Sequence, residues 1–247
     1  MSFSGVWPEL FESVLSHEER WRGATSHLAR EPGYVLAANP EIPGPEANLF
    51  LRIRTDVQGA QRLLRRSAKH GLGLLLDSGT EPADLSERLS AAGFDSLGRR
   101  YLAVFDPDSF MTPPGPRPEF TPVGPGELQK FVELAQEESG CRSRTVWSLR
   151  LRNLLFSSYL VGGNAGAKAA FTVFHCGSLA RLEGPFPFAA AADYALSCAV
   201  VAQAWQRALQ KDCNVLYSLV PGQYVDAVKP LAFKVSERWW LEEFRPR

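Results

Sequence analysis

The spacing of apolar residues changes period several times along the chain, and each change predicts a new element. Residues 7–20 read as a helix. Residues 34–38 and 48–54 read as strands, the second alternating Leu49, Leu51 and Ile53 against Phe50, Arg52 and Arg54. Asp56 stands where it can cap a helix running to about Lys69, and Gly71 follows where a left-handed stop belongs. A short buried strand at 74–76, a helix at 83–92 closed by Gly93, and a strand at 101–105 complete the first half. Pro113, Pro114, Pro116, Pro118, Pro122 and Pro125 then remove amide donors and fix φ, so the proline-rich stretch reads as a connection. Beyond it the pattern predicts a helix at 125–139, with Leu128, Phe131, Val132 and Leu134 on a largely common face, and a helical region over 147–159. A strand beginning at Leu160 pairs with one at 169–176 across the glycine-rich turn 162–166. A strand at 179–186, a long helix at 194–210, a strand at 215–220, a short helix at 224–231 and a strand at 235–241 follow.

The two halves echo each other at their ends. Leu74-Leu75-Leu76-Asp77 precedes a helix, then Ala92-Gly93-Phe94 and Arg99-Arg100-Tyr101. Val215-Leu216-Tyr217-Ser218 precedes a helix, then Ala232-Phe233 and Arg238-Trp239-Trp240. A unit used twice predicts that Phe94 and Phe233 are equivalent and both buried.

The order of hairpin, strand, long helix, strand, short helix, small residue–Phe and strand over 120–244 resembles the C-terminal two-thirds of a GNAT-type N-acetyltransferase domain. The first half resembles the trailing part of the same fold, as in tandem proteins with a reduced N-terminal copy. The resemblance implies an α/β protein with a GNAT-like mixed sheet flanked by helices. It implies a reduced half at 1–112, a proline-rich connection at 113–126 and a fuller C-terminal domain at 127–247. It also implies that strands 179–186 and 215–220 lie parallel and adjacent.

Acetyl-CoA or another acyl-CoA is the co-substrate that this resemblance implies. In the family a loop of the form Arg/Gln-x-x-Gly-x-Gly/Ala opens the long helix, and its amides cradle the pyrophosphate. Here that loop falls on Ala192, Asp193, Tyr194, Ala195, Leu196 and Ser197. Ala195 and Ser197 are small, as the family's glycines are. Ala192 supplies no cation, and Asp193 at the N-cap competes for the amides that a phosphate would use. Pro185 and Pro187 each withhold an amide from the strand that would hold pantetheine. The family's general-acid tyrosine is replaced by Val228, with Pro230 in the same short helix. Phe186, Phe188 and the alanines at 189–192 make the mouth of the site apolar, suited to an acyl chain or to burial against a partner subunit.

Two catalytic candidates remain. Glu183 lies on the family's fourth strand, where a carboxylate takes the proton of the attacking amine. As a general base it predicts that Glu183→Gln lowers turnover about a hundredfold with little change in stability. The competing reading pairs Glu183 with Arg181 or Arg150. Tyr224, one helical turn before Val228, is placed to stand in for the missing acid or to anchor its helix. Two functions fit: acyl-CoA-dependent transfer to a small-molecule or peptide amine, or a non-catalytic GNAT-like module that binds a ligand or a protein after losing the CoA site.

Charge narrows the partners. Lys and Arg total 27 and Asp and Glu total 27, so the formal net charge is zero, which argues against chain-wide attraction to nucleic acid or an anionic membrane. Arg62, Arg65, Arg66 and Lys69 still form one basic helical face, read as solvated, with an anion or nucleic-acid contact as the minority reading. The four cysteines lack a C-x-x-C pair and the four histidines lack ligand spacing, so no metal is expected and the thiols read as free. His175 and Cys176 are adjacent on a strand and point to opposite faces, so they form no dyad. No apolar stretch approaches a membrane span, and the cytoplasm is the expected location.

Overall fold

A computed structural model describes residues 7–115, 117–135, 143–162, 166–186 and 193–247. The chain forms two compact units: the residues up to Leu102 together with Ser236–Arg247, and Ala103–Val235.

In the first unit, α1 (Trp7–Gly23) buries Phe11, Val14, Leu15 and Trp21. The strands β1 (His27–Glu31) and β2 (Tyr34–Ala38) form an antiparallel hairpin, and β2 pairs antiparallel with β3 (Leu49–Leu51). The sequence pattern missed β1 because all five of its residues are exposed and leave no apolar alternation. The strand expected over 48–54 shrinks to three residues, because Arg52 turns into the left-handed region at φ 52°. Helix α2 (Val57–His70) starts where the Asp56 side chain accepts from the Gly59 amide at 2.6 Å and ends at Gly71, φ 65°. Its buried residues Ala60, Leu63 and Ser67 recur at helical spacing. The strand β4 (Gly73–Asp77) pairs parallel with β3, and α3 (Leu85–Ala91) leads into β5 (Phe94–Phe105). That last strand begins at Phe94 rather than at 101, because residues 95–99 are exposed and show no core-facing pattern. The C-terminal strand β11 (Phe233–Pro246) pairs antiparallel with β4, Leu241 opposite Asp77 and Phe244 opposite Leu74. Phe50, Ile53, Leu63, Leu76, Phe94 and Phe244 meet in this unit's core.

The second unit holds β6 (Phe120–Pro122), α4 (Leu128–Ala135), α5 (Arg144–Arg152), β7 (Phe156–Val161), β8 (Ala169–Cys176) and β9 (Leu179–Phe186). Then come α6 (Tyr194–Leu209), β10 (Val215–Pro221) and α7 (Val225–Val228), the last flanked by 3-10 turns at Gly222–Tyr224 and Lys229–Leu231. The strands β6 to β9 pair antiparallel in sequence order, while β9 and β10 are parallel, as expected for strands joined by a helical crossover. The helical region expected over 147–159 is corrected. Helix α5 stops at Arg152, Asn153 turns extended with its side chain accepting from the Leu155 amide at 3.0 Å, and β7 starts at Phe156. Helix α6 covers one face of the sheet: Val200, Val201 and Ala204 pack on Phe171, Val173 and Leu182. Helices α4 and α5 pack on β7, β8 and β9, with Phe131 edge-on to Trp147 at 5.0 Å. Phe94 and Phe233 are both buried, in the cores of their own units.

Candidate functional site

The irregular part of the second unit's sheet is β9. Its parallel pairing with β10 runs from Leu179–Val215 to Leu182–Ser218 and stops, although the strands continue to Phe186 and Pro221. On its other edge the register with β8 shifts between Ala170 and Thr172. There Gly184 adopts φ 108°, and the Ala170 carbonyl oxygen lies 2.9 Å from where a Cβ would stand. No L side chain fits that approach comfortably. The next residue, Pro185, has no amide to offer a neighbour or a ligand.

The splayed strand ends open a cleft against α6 and the short helices. Leu182, Ser197, Val201, Leu219, Tyr224 and Val228 are among the residues lining about 40 Å³ of space. A water molecule's share of the liquid is about 30 Å³, so the cleft is narrow, and its lining is mostly apolar. The apolar mouth anticipated at Phe186, Phe188 and residues 189–192 falls, apart from Phe186, outside the described residues, and the cleft is lined by other side chains.

Glu183 follows the last paired residue of β9 and points to the face opposite Leu182, away from this cleft. It is buried, and Arg181 Nη2 lies 3.3 Å from its Oε1. Across β8 it faces Thr172, whose hydroxyl shares a 2.7 Å hydrogen bond with Ser158. Arg150 is buried with its guanidinium over the Trp147 ring, 4.8 Å from the centroid. Of the two partners weighed for Glu183, Arg181 stands within ion-pair distance of it. Because the two charges are buried together, Glu183→Gln bears on stability as well as on turnover. Glu183 and Tyr224 therefore do not meet in one cavity.

The residues matched to the cofactor loop are dispersed. Asp193 is the N-cap of α6, its Oδ1 accepting from the Leu196 amide at 3.0 Å. Tyr194 is exposed and its hydroxyl donates to the Pro230 carbonyl at 3.4 Å. Ala195 lines a separate groove of about 680 Å³ with Phe110, Pro114, Ala199 and Trp205. Leu196 is half-buried against the α6 cluster, and Ser197 is buried in the cleft wall. Ala192 lies outside the described residues, as do Pro187, Phe188 and the alanines at 189–191. A pyrophosphate would meet a capped first turn with no basic side chain in it and a carboxylate beside it.

One constellation escaped the sequence pattern. Arg207 Nε donates to Ser157 Oγ at 2.9 Å, and Ser157 Oγ lies 3.3 Å from His175 Nε2. Burial first, then the charges of Lys211 and Arg207, depress the His175 pKa to about 4. The imidazole is thus neutral near pH 7, and it shares a hydrogen bond with the Ser157 hydroxyl, which also accepts from Arg207. Ser157 fell within the stretch read as helical, which hid this contact.

Among the described residues no group of three or more His, Cys, Asp or Glu is placed to hold a metal, and no helix is long and apolar enough to cross a membrane. Cys198 and Cys213 are free and buried, and Cys176 is free and half-buried.

No family model matches the chain, and no curated protein matches it in sequence. Solved structures do match its fold. A GCN5-related N-acetyltransferase from Kribbella flavida aligns at TM-score 0.68 and 11% identity, covering 95% of this chain and 94% of that one. A functionally unknown conserved protein from Staphylococcus epidermidis aligns at TM-score 0.65 and 9% identity, with 90% and 94% covered. A tandem GNAT protein from the clavulanic acid biosynthesis pathway aligns at TM-score 0.52 and 14% identity, with 90% and 83% covered. The chain has the GNAT fold.

Proposed function

We propose that this protein is a GNAT-fold binding module in which the acyl-CoA site has been lost. The observation that carries the reading is the Asp193 carboxylate on the Leu196 amide, in the turn whose free amides a pyrophosphate needs. The small cleft and the missing Pro185 amide support it, because pantetheine and an acyl group would compete for the same narrow space. Calorimetry with acetyl-CoA tests it. The wild type is expected to bind no tighter than about 0.1 mM. Ala192→Arg with Asp193→Gly should strengthen binding, and added salt should weaken it again. Micromolar binding by the wild type would overturn the reading.

The splay of β9 from β10 favours a second reading, transfer of an acyl group from acyl-CoA to a small-molecule or peptide amine. In that reading Glu183, beside the last paired residue, takes the amine's proton. Acetylation of an amine by the wild type that Glu183→Gln abolishes, with the variant still folded, would favour this reading over the first.

A further inference from the structure

We propose that the first unit binds a small phosphate ester in the hollow between α2 and the turn of the β1–β2 hairpin. The hollow has a volume of about 280 Å³, with Pro32, Tyr34, Thr55, Arg62, Leu63 and Arg66 in its wall. That is just below the range of pockets for drug-sized ligands, and it suits one phosphate with a compact organic group.

The charge distribution points to an anion. Helix α2 carries Arg62, Arg65, Arg66 and Lys69 and not one Asp or Glu. Elsewhere in this unit arginines are paired: Arg22 with Glu243, Arg30 and Arg52 with Glu19, Arg54 with Asp77, Arg88 with Asp84 and Arg99 with Glu242. Among the described residues Arg62, Arg65 and Arg66 have no carboxylate partner within 4.0 Å. Two of the three line the hollow.

Their placement suits a phosphate. Arg62 and Arg66 are four residues apart on one helical face, so both forks reach the same volume. Planar guanidinium forks match the geometry of phosphate oxygens. Arg66 Nη1 meets the Tyr34 hydroxyl at 3.3 Å and its guanidinium lies 5.6 Å from the Phe50 ring centroid, which holds the side chain against the wall. The Tyr34 and Thr55 hydroxyls add donors, while Pro32 and Leu63 offer apolar surface to the organic group. Gly59 in the wall brings the first turn of α2 against Thr55, since a Cβ there would stand 1.9 Å from Thr55 Oγ1. The nearby Asp56 carboxylate is turned to the Gly59 amide and does not line the hollow.

No residue of α3 lines this hollow, and it is separate from the cleft of the second unit, so the proposal stands apart from the fate of acyl-CoA there. Calorimetry on the full chain with phenyl phosphate and with ribose 5-phosphate tests it. At least one ester is expected to bind with Kd below about 1 mM, and phenol and ribose not to bind. Arg62→Gln with Arg66→Gln should lower the affinity about tenfold or more. Arg65→Gln with Lys69→Gln removes equal charge outside the hollow and should change it less than about twofold. All four side chains are exposed, so the melting temperatures of the variants should stay close to wild type. Absence of binding by both esters overturns the proposal. So does equal weakening by the two double variants, or tighter binding of a single-stranded oligonucleotide that depends on all four residues alike, either of which would mean a diffuse polyanion surface.

Discussion

Burying a charge is the costliest choice a residue can present, and the second unit makes it at Glu183 and Arg181 on neighbouring same-face positions of β9. Such a pair gains little over an apolar pair of equal volume, but breaking it by removing one partner costs about 3–5 kcal/mol. Glu183→Gln is therefore expected to lower unfolding stability by an amount of that order, read by urea denaturation. Arg181→Met with Glu183→Leu should recover most of the loss. A single variant as stable as wild type would mean that the ion pair is not the role of this glutamate. His175 is the opposite case, a titratable group kept neutral. Its folded pKa of about 4 lies below the ordinary 6.5, so its stabilising contribution is fully present above about pH 6.5. As pH falls through that window towards 4, the unfolded chain takes up a proton that the folded one resists, and the contribution is lost. Lys211 is exposed and partly screened by solvent, so the expected loss between pH 7.5 and pH 5 is about 1–2 kcal/mol. His175→Gln should remove that portion of the pH dependence. An unchanged slope in the variant would assign the effect to other groups.

Elements were legible where a local signal fixed them. Asp56 and Gly71 bounded α2 because cap and left-handed stop act within a single turn, and the strand expected at 179–186 coincides with the bounds of β9. Helix α6 matched its expected span to within a residue for the same reason, with Asp193 as its cap. What the pattern could not carry was set by contacts distant in sequence. The strand β7 looked helical because Trp147 to Leu151 and Phe156 to Leu160 are both apolar-rich, and the break at Asn153 rests on one side-chain hydrogen bond. Exposed stretches such as β1 and residues 95–99 of β5 pair through backbone groups and surface polar contacts, which leave no trace in hydropathy. At the site, the capping role of Asp193 was legible as a local signal. The pairing partner of Glu183 was narrowed to two arginines, and the Arg207–Ser157–His175 contact, spread over two strands and a helix, was not visible at all.

On the scale of the whole molecule, the two units run through the same order: hairpin, strand, helix, parallel strand, short helix and long strand. In each order a buried phenylalanine, Phe94 or Phe233, opens the long strand. The first unit is not a contiguous piece of chain, because it takes its edge partner for β4 from Ser236–Arg247. That segment buries Leu241 and Phe244, and its Glu243 is held ionised: burial alone would raise its pKa, but Arg22, Arg245 and Arg100 bring it below the usual carboxylate value. Burying a Leu and a Phe contributes about 1.5–3 kcal/mol each, a large share of the roughly 5–15 kcal/mol that holds a domain together. A chain ending at Val235 should therefore lose the first unit selectively. Limited proteolysis is expected to cut within 7–102 before it cuts within 103–235, and a peptide of residues 236–247 added in trans should restore protection. Truncation that leaves the melting temperature and the cleavage pattern of the full chain intact would mean that β4 holds its place without β11.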